Sequence, residues 1–361
     1  MPHTNCFQQH TESILVSGIA EQSYKRRNPG ITFRLYAPVL LLILIIVSRP
    51  YGTEAQSGSC SIPVNFEDRS LVPIGVGAGE KGVAIGDFNG DGKPDLATAL
   101  AGTSPGLVSV VLGDGNGGFG SPTKVEIPTG TSTLIITGDF NIDGKTDLAV
   151  CSNDGRSSLL IGNGSGGFSA TVLFSVGINP VAIVTDDFNA DGKPDLATAD
   201  AGSGAMTVLL GDGKGSFSGT IYSDEEKGGD GITSADFNGD GKVDLIIANS
   251  DSGSISLFLN NGMGSFKAES EIFKVGGYPG SITSGDFNLD GRPDVAISDY
   301  YSGNVIVLLR KDTRVFSTPV AYKAGSGLEK IINNDFSNDG FPDLAVADSS
   351  GGAIIMLGDR L

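Results

Sequence analysis

The nonapeptide DFNGDGKPD occupies residues 87–95, and five variants of it follow along the chain. Successive copies begin 52, 48, 49, 50 and 49 residues apart. A repeat of this size holds four short strands, which is the content of one blade of a β-propeller. Short apolar runs punctuated by Gly and Asp surround each copy and leave no room for a long helix. The sequence therefore predicts an all-β propeller. The copies begin at Asp87, Asp139, Asp187, Asp236, Asp286 and Asp335.

A second landmark predicts how the ring closes. A phenylalanine lies 19 or 20 residues before each later copy and marks the expected start of a fourth strand. Phe66 lies 21 residues before Asp87, whereas the chain ends at Leu361, where the last unit should begin its fourth strand. We therefore expect residues 66–74 to join the last unit, giving six four-stranded blades without an open edge. A seven-bladed ring with one degenerate unit, or an open array, is the alternative. The marker phenylalanines are Phe119, Phe168, Phe217, Phe266 and Phe316.

Each nonapeptide carries oxygen ligands at alternate positions. Positions 1, 3, 5 and 9 have Asp, Asn or Ser side chains, position 6 is always Gly, and position 7 offers its backbone carbonyl. Hard oxygen ligands without His or Cys favour Ca²⁺ over zinc or copper. We therefore predict about six structural Ca²⁺ ions. The predicted ligand sets are Asp87, Asn89, Asp91, Lys93, Asp95; Asp139, Asn141, Asp143, Lys145, Asp147; Asp187, Asn189, Asp191, Lys193, Asp195; Asp236, Asn238, Asp240, Lys242, Asp244; Asp286, Asn288, Asp290, Arg292, Asp294; and Asp335, Ser337, Asp339, Phe341, Asp343.

Two other interpretations of the loops are weaker. Asp, Asn and Gly also make good turns, but a turn needs only two or three such residues. Three carboxylates within nine residues would repel one another unless a cation neutralised them. An EF-hand needs a bidentate Glu at position 12, where this chain has none. Position 12 is Thr98, Val150, Thr198, Ile247, Ser298 and Val346 in the six copies.

The N-terminus has the order of a secretory signal. Basic residues from Lys25 to Arg34 precede an apolar run, residues 39–47, and a small-residue site ends at Ala55. The apolar run is shorter than the roughly 20 residues that span a bilayer. We expect residues 1–55 to be signal peptide and leader, and residues 56–361 to form a single propeller domain that is secreted or held at the cell surface. An uncleaved anchor is the alternative and the only expected membrane contact.

Composition limits the partners and the chemistry. Removal of residues 1–55 leaves 19 basic and 39 acidic residues, a formal charge of −20. Such a field repels nucleic acid and anionic membranes. The two histidines, His3 and His10, both precede Ala55, so the predicted domain has no histidine for catalysis. Blade lengths are nearly uniform and leave no large loop to build a cleft. We expect a monomer that is not an enzyme.

The repeated motif resembles a known family. Residues 86–97 read GDFNGDGKPDLA, and residues 112–119 read LGDGNGGF. These motifs resemble the FG-GAP repeat of integrin alpha subunits and its bacterial relatives, the VCBS repeats, and the resemblance covers about residues 62–361. It implies a propeller with Ca²⁺ on one face and ligands usually received on other loops. Integrin propellers have seven blades, whereas this chain shows six copies, and nothing resembles the adjoining integrin domains. The resemblance therefore predicts fold and metal, but no partner.

The expected function is a non-catalytic extracellular binding or adhesion module whose ligand is a protein or a glycan. A structural component of an envelope complex is the alternative, and an enzyme acting on polysaccharides is less favoured because the abundant carboxylates are committed to metal. On the edge opposite the metal loops, three tyrosines and recurrent polar residues are candidates to contact a ligand, but the favoured interpretation is that the polar residues end strands and the tyrosines cover blade edges. These residues are Tyr278, Tyr300, Tyr301, Asp200, Asn249, Asp299 and Asp348.

Overall fold

The computed structural model describes residues 80–100, 105–115, 118–128, 130–223, 229–269, 273–311, 316–349 and 352–358. These residues contain twenty-four strands and no helix. The described residues therefore include no helix that could cross a membrane. The predicted signal peptide, residues 1–55, and the predicted closing segment, residues 66–74, lie outside the described residues.

The first three sheets each have four antiparallel strands, paired in chain order. The first sheet contains β1 (Glu80–Gly86), β2 (Asp95–Leu100), β3 (Gly106–Val111) and β4 (Thr123–Ile127). The second contains β5 (Ser132–Gly138), β6 (Asp147–Ser152), β7 (Arg156–Gly162) and β8 (Phe168–Ser175). The third contains β9 (Pro180–Asp186), β10 (Asp195–Asp200), β11 (Ala205–Gly211) and β12 (Phe217–Ser223).

The later sheets vary this plan at their outer strands. In the fourth sheet β16 and β17 both pair with β15, and the sixth sheet has three strands in the described residues. The fourth contains β13 (Gly229–Ala235), β14 (Asp244–Asn249), β15 (Ser254–Asn260), β16 (Phe266–Ala268) and β17 (Phe273–Lys274). The fifth contains β18 (Pro279–Gly285), β19 (Asp294–Asp299), β20 (Asn304–Leu308) and β21 (Val320–Lys323). The sixth contains β22 (Leu328–Asn334), β23 (Asp343–Asp348) and β24 (Gly352–Met356).

The second strand of every sheet is buried along its whole length. Sequences such as DLATAL and DLIIAN lack the apolar and polar alternation of a strand with one wet face. Burial at every position is expected where other sheets cover both faces. By contrast, β21 at the outer margin of the fifth sheet is exposed at all four positions. The hydrophobic core is therefore a series of layers between neighbouring sheets.

The first strands hold the centre of the arrangement together. The first strand of each sheet lies against the first strand of the next, from β1 and β5 to β18 and β22. Thr137 Oγ1 donates a hydrogen bond to the Ile85 carbonyl at 3.1 Å, and Ser284 Oγ donates to the Ser234 carbonyl at 3.1 Å. Sheets packed in series through their first strands have the arrangement of propeller blades. Ring closure and the total number of blades stay predictions, because the closing segment lies outside the described residues.

A repeated aromatic contact, the phenylalanine latch, joins neighbouring sheets. In the first four Asp loops, the phenylalanine at position 2 contacts the marker phenylalanine of the following sheet. Phe88 meets Phe168 at a centroid distance of 5.8 Å. The Phe88 carbonyl also accepts the N–H of Gly166, from the turn before Phe168, at 2.8 Å. The other latches are Phe140 with Phe217, Phe188 with Phe266, and Phe237 with Phe316, at 5.7, 5.6 and 6.2 Å.

The marker phenylalanines begin fourth strands in three sheets, as predicted. Phe168, Phe217 and Phe266 are the first residues of β8, β12 and β16. In the first and fifth sheets Phe119 and Phe316 form isolated bridges ahead of β4 and β21 instead. In all five sheets the marker phenylalanine pairs with a residue at or just after the end of the third strand, whereas the length of regular strand that follows the phenylalanine varies.

Candidate metal-binding loops

All six nonapeptides connect the first strand of a sheet to its second strand and therefore share one edge of the molecule, called here the loop edge. In each of them the glycine at position 6 has a positive φ, between 77° and 88°. A residue with a Cβ is strained in this conformation, whereas glycine adopts it freely. The tight turn brings alternate side chains to the same side of the loop. These glycines are Gly92, Gly144, Gly192, Gly241, Gly291 and Gly340.

The side chains at positions 1 and 3 meet at one backbone amide. In the first loop Asp87 Oδ1 accepts the N–H groups of Gly90 and Asp91 at 2.7 and 3.2 Å, and Asp87 Oδ2 accepts that of Gly92 at 2.8 Å. Asn89 Oδ1 accepts the same Asp91 N–H at 2.9 Å. The two oxygens therefore lie side by side. The shared amide recurs at Asp143, Asp191, Asp240 and Asp290.

The residue at position 7 contributes more than its predicted carbonyl. Lys93 Nζ lies 3.1 Å from Asp91 Oδ2, and the Lys93 N–H donates to Asp91 Oδ1 at 3.0 Å. The hydrogen bond from the Lys93 side chain holds the pKa of Asp91 below its usual value. The sequence shows a basic residue at this position in five copies but gives no sign of its partner. The equivalent ion pairs are Lys145 with Asp143, Lys193 with Asp191, Lys242 with Asp240, and Arg292 with Asp290.

The aspartate at position 9 is turned toward the sheet. Asp95 is fully buried, its Oδ2 accepts the Phe88 N–H at 2.9 Å, and its Oδ1 accepts the Gly113 N–H at 2.7 Å. Gly113 follows the third strand, so one carboxylate fastens both ends of the hairpin to β3. The equivalent pairing of Oδ1 with the end of the third strand involves Asp147 with Gly162, Asp195 with Gly211, Asp244 with Asn260, Asp294 with Arg310, and Asp343 with Gly358.

Burial sets the electrostatics of position 9. It raises the pKa of Asp195, Asp244 and Asp294 to about 6 in each case. The two backbone hydrogen bonds oppose that shift for Asp195, and the charges of Asp191 and Asp187 add to it. The carboxylates at positions 1 and 5 are therefore close enough to repel the one at position 9. A bound cation would relieve this repulsion.

The donors fit Ca²⁺, although the carboxylates would have to draw together around the ion. In the described segments no three Asp, Glu, His or Cys side chains lie close enough to form a metal cluster. The available donors are nevertheless all oxygens, as calcium prefers. Asp244 Oδ2 is buried and has no well-formed hydrogen bond, although the Asn238 N–H acts weakly on the carboxylate, and such burial is costly for a carboxylate oxygen. This atom is at a predicted ligand position of the fourth loop, where a cation would satisfy it.

The recurrent polar residues of the opposite edge have structural partners. Asp200 is buried, and its Oδ2 accepts the Thr207 hydroxyl at 2.6 Å. Asp299 Oδ1 accepts the Tyr278 N–H at 3.0 Å, and Asp348 Oδ2 accepts the Ser326 N–H at 3.1 Å. Asn249 is buried and donates to the Ser256 hydroxyl at 2.8 Å. These side chains end strands and fix turns, so the structure favours that interpretation over ligand binding.

Comparison with known proteins gives one family and a fold. The family model described as FG-GAP-like repeat matches residues 87–150, 139–198, 187–247, 236–297 and 286–346. Every match begins at position 1 of a loop. A search of curated proteins found no match.

The solved structures that are similar in fold include two that cover two thirds or more of this chain. One is described as BBS1N in complex with ARL6DN, with a TM-score of 0.56, 13% identity, and coverage of 80% of this chain and 82% of that chain. The other is a functionally unknown protein from Desulfotomaculum acetoxidans, with a TM-score of 0.51, 13% identity, and coverage of 67% and 69%. At this identity the likeness concerns the fold alone.

Proposed function

The chain belongs to the FG-GAP-like repeat family, and from that membership we propose that it is an exported, calcium-bound β-propeller that binds a protein or a glycan without catalysing a reaction. The observation that carries the proposal is the recurrence of one oxygen-rich loop in all six described sheets. Six equal loops are suited to hold a scaffold together, whereas a catalytic site needs unlike groups gathered at one place. We therefore expect the protein or glycan ligand to bind to surfaces that the calcium-bound repeats hold in position.

Calcium would bind at positions 1, 3, 5 and 9 and at the carbonyl of position 7. Its two positive charges would offset most of the charge of the three carboxylates of a loop, and it would replace the lysine ammonium as partner of position 5. Binding only to the folded loop stabilises the fold by about 2.7 kcal/mol per independent site at 100 times Kd. The ion would thereby fix the hairpin that carries each phenylalanine latch.

Equilibrium dialysis followed by elemental mass spectrometry tests the calcium proposal. We expect about six ions per chain, one for each loop. Asp91→Asn should remove one ion, whereas the matched change Asp114→Asn, in the neighbouring turn, should leave the count unchanged. A chain that takes up no calcium, and whose melting temperature is the same in EDTA and in Ca²⁺, would contradict the proposal.

A protein partner has support from the fold comparison. The similar propeller BBS1N was solved in complex with ARL6DN, so a propeller of this kind can present a surface to another protein. A glycan array and a crosslinking capture, both in calcium buffer, test binding directly. We expect at least one ligand that is retained in Ca²⁺ and released by EDTA. Turnover of a polysaccharide by the purified chain would instead support the enzyme alternative.

A further inference from the structure

Four lysines belong to the metal-binding loops themselves, at position 7 of the first four nonapeptides, and are called here the loop lysines. Each ammonium group lies at ion-pair distance from the position 5 carboxylate of its own loop, which is a predicted calcium ligand. The same contact therefore forms in four separate sheets. The distances from Nζ to Oδ2 are 3.1 Å for Lys93 and Asp91, 3.0 Å for Lys145 and Asp143, 2.7 Å for Lys193 and Asp191, and 3.1 Å for Lys242 and Asp240.

A glycine of the neighbouring turn holds each loop lysine in place. Gly115 has a φ of 75°, and a Cβ added to it would lie only 3.0 Å from the Cδ of Lys93. The aliphatic part of the lysine therefore lies directly against the turn between the third and fourth strands. The equivalent distances from Gly164, Gly213 and Gly262 to the lysines of their own sheets are 2.8, 2.8 and 2.9 Å. The position of the loop lysine is thus fixed by the sheet as well as by the loop.

The sixth loop shows that the turn forms without an ammonium group. Phe341 occupies position 7 there. Asp335 nevertheless accepts the N–H groups of Asp339 and Gly340 at 3.0 and 2.9 Å, the same two contacts that Asp87 makes in the first loop. The loop lysine therefore acts on the charge of its loop rather than on its shape.

The loop lysine and calcium act on the same carboxylates. Three carboxylates and one ammonium group give each of the first four loops a formal charge of −2. In the calcium-free loop the ammonium group offsets part of the repulsion among the carboxylates, whereas beside a bound cation it is a like charge. Calcium must therefore either displace the ammonium group from position 5 or bind close to it, and both cost binding free energy.

We propose that the loop lysines compete with calcium and raise the free Ca²⁺ concentration at which the first four loops fill. This inference rests on the proposed function as a calcium-bound propeller and names the side chains that regulate the binding. Ion pairs that are partly exposed contribute little, so each lysine should weaken calcium binding about two- to fivefold. The fifth loop has a related pair, Arg292 with Asp290 at 3.4 Å, whereas the sixth has no basic residue at this position.

Chelator competition with the full chain, in about 0.15 M salt, tests the proposal. Methionine replaces all four loop lysines, because its unbranched side chain can still pack on the glycine while the charge is removed. We expect this variant to reach half-saturation with calcium at a free Ca²⁺ concentration about two- to fivefold lower than the unmodified chain. Arginine at the same four positions keeps the charge and should give an affinity close to that of the unmodified chain. The changes are Lys93→Met, Lys145→Met, Lys193→Met and Lys242→Met.

The matched control removes the same charge elsewhere. Four exposed lysines of the outer strands, which lie outside the Asp loops, are replaced by methionine together. Because salt screens distant charges, this variant should reach half-saturation within about 1.5-fold of the unmodified chain. The control positions are Lys124, Lys267, Lys274 and Lys323.

The outcomes separate the role of the lysines from calcium binding itself. Equal shifts in the two methionine variants would show that net charge alone sets the affinity, and would overturn the proposal. Calcium uptake by the loop variant with an unchanged curve, or an arginine variant that behaves like the methionine variant, would also overturn it while the calcium sites stand. If the unmodified chain takes up no calcium in dialysis, the proposed calcium binding fails, and the role of the loop lysines fails with it.

Discussion

Asp195 illustrates how one side chain in these loops serves two parts of a sheet. It is buried, and its carboxylate accepts the backbone N–H groups of Phe188 and Gly211 at 2.8 and 2.7 Å. Phe188 belongs to the loop and Gly211 ends the third strand, so the carboxylate fastens the hairpin to β11. The sequence identifies Asp195 only as a predicted metal ligand. Its two hydrogen-bond partners are backbone N–H groups, and the sequence does not show which backbone groups a side chain contacts.

Replacing this carboxylate should destabilise the fold even without metal. In Asp195→Asn the amide NH₂ faces one of the two N–H groups and leaves it unpaired. A buried donor without an acceptor costs about 1–3 kcal/mol. Urea unfolding in EDTA measures the loss, and the exposed Asp251→Asn is the control. Equal midpoints for Asp195→Asn and the unmodified chain would rule out the role in fastening the hairpin.

The buried aspartates should also make stability depend on pH. Burial raises the pKa of Asp195, Asp244 and Asp294 to about 6, above their ordinary value of 3.8. Between these values the folded state binds more protons than the unfolded state, so the contribution of these groups to stability falls as pH rises. In EDTA we expect the triple Asn variant at these positions to lose less stability relative to the unmodified chain at pH 7 than at pH 4.5. Saturating Ca²⁺ should lower these pKa values, and a pH-independent difference in EDTA would contradict the assignment.

Between whole strands and sheets, the phenylalanine latch is the contact that repeats. Phe188 and Phe266 lie 5.6 Å apart in an edge-to-face arrangement across the third and fourth sheets. Phe188 is 1% exposed and Phe266 is 7% exposed. Asn260 Nδ2 donates to the Phe188 carbonyl at 2.7 Å, which ties the same two sheets together. Each such contact joins a loop of one sheet to the start of the fourth strand of the next, or to the bridge ahead of it in the fifth sheet.

A double-mutant cycle should detect the latch. Phe188→Ala should destabilise the fold by about 3–5 kcal/mol, because it removes a buried ring. Phe188→Ala and Phe266→Ala should show a coupling free energy of about 0.5–1.5 kcal/mol in urea unfolding. The control cycle pairs Phe188→Ala with Phe316→Ala, whose latch partner is Phe237, and should give additive losses. Equal coupling in the two cycles would contradict a contact specific to adjacent sheets.

The sequence predicts the units of this fold better than their contacts. The spacing of the Asp loops predicts one sheet for each copy and the order of its strands, and the described sheets confirm both. The marker Phe168 and the loop residue Phe88 are both visible as repeated features, yet a period along the chain does not show which copies face each other. Likewise the ion pair of Lys93 with Asp91 depends on the course of the loop backbone. The contact between Tyr278 and Tyr301 could not be predicted from the sequence either, because it depends on the turns that bring the two residues together.

At the scale of the whole molecule, closure of the ring by the N-terminal segment stays a prediction. The described part of the sixth sheet ends at β24, and the predicted fourth strand comes from residues 66–74, outside the described residues. An unpaired outer strand edge invites association with another chain. Closure by the N-terminal segment would cover that edge and join the two ends of the domain.

Two truncated chains test closure. A chain that starts at residue 56 should match the full chain in melting temperature and remain monomeric. A chain that starts at residue 80 should melt at a lower temperature and associate, because the outer edge of β24 stays unpaired. Light scattering and thermal unfolding in Ca²⁺ measure both effects. Identical behaviour of the two truncated chains would show that residues 56–79 do not close the sixth sheet.

The phenylalanine latch has a consequence for how such genes change. Because the first four sheets each offer a loop phenylalanine that the marker phenylalanine of the next sheet contacts, a duplicated or deleted copy among them would still find a compatible neighbour. Unequal recombination within the gene could therefore alter the number of units without inventing a new interface. If the units form the predicted closed ring, curvature would limit their number, since only certain totals let the last unit meet the first.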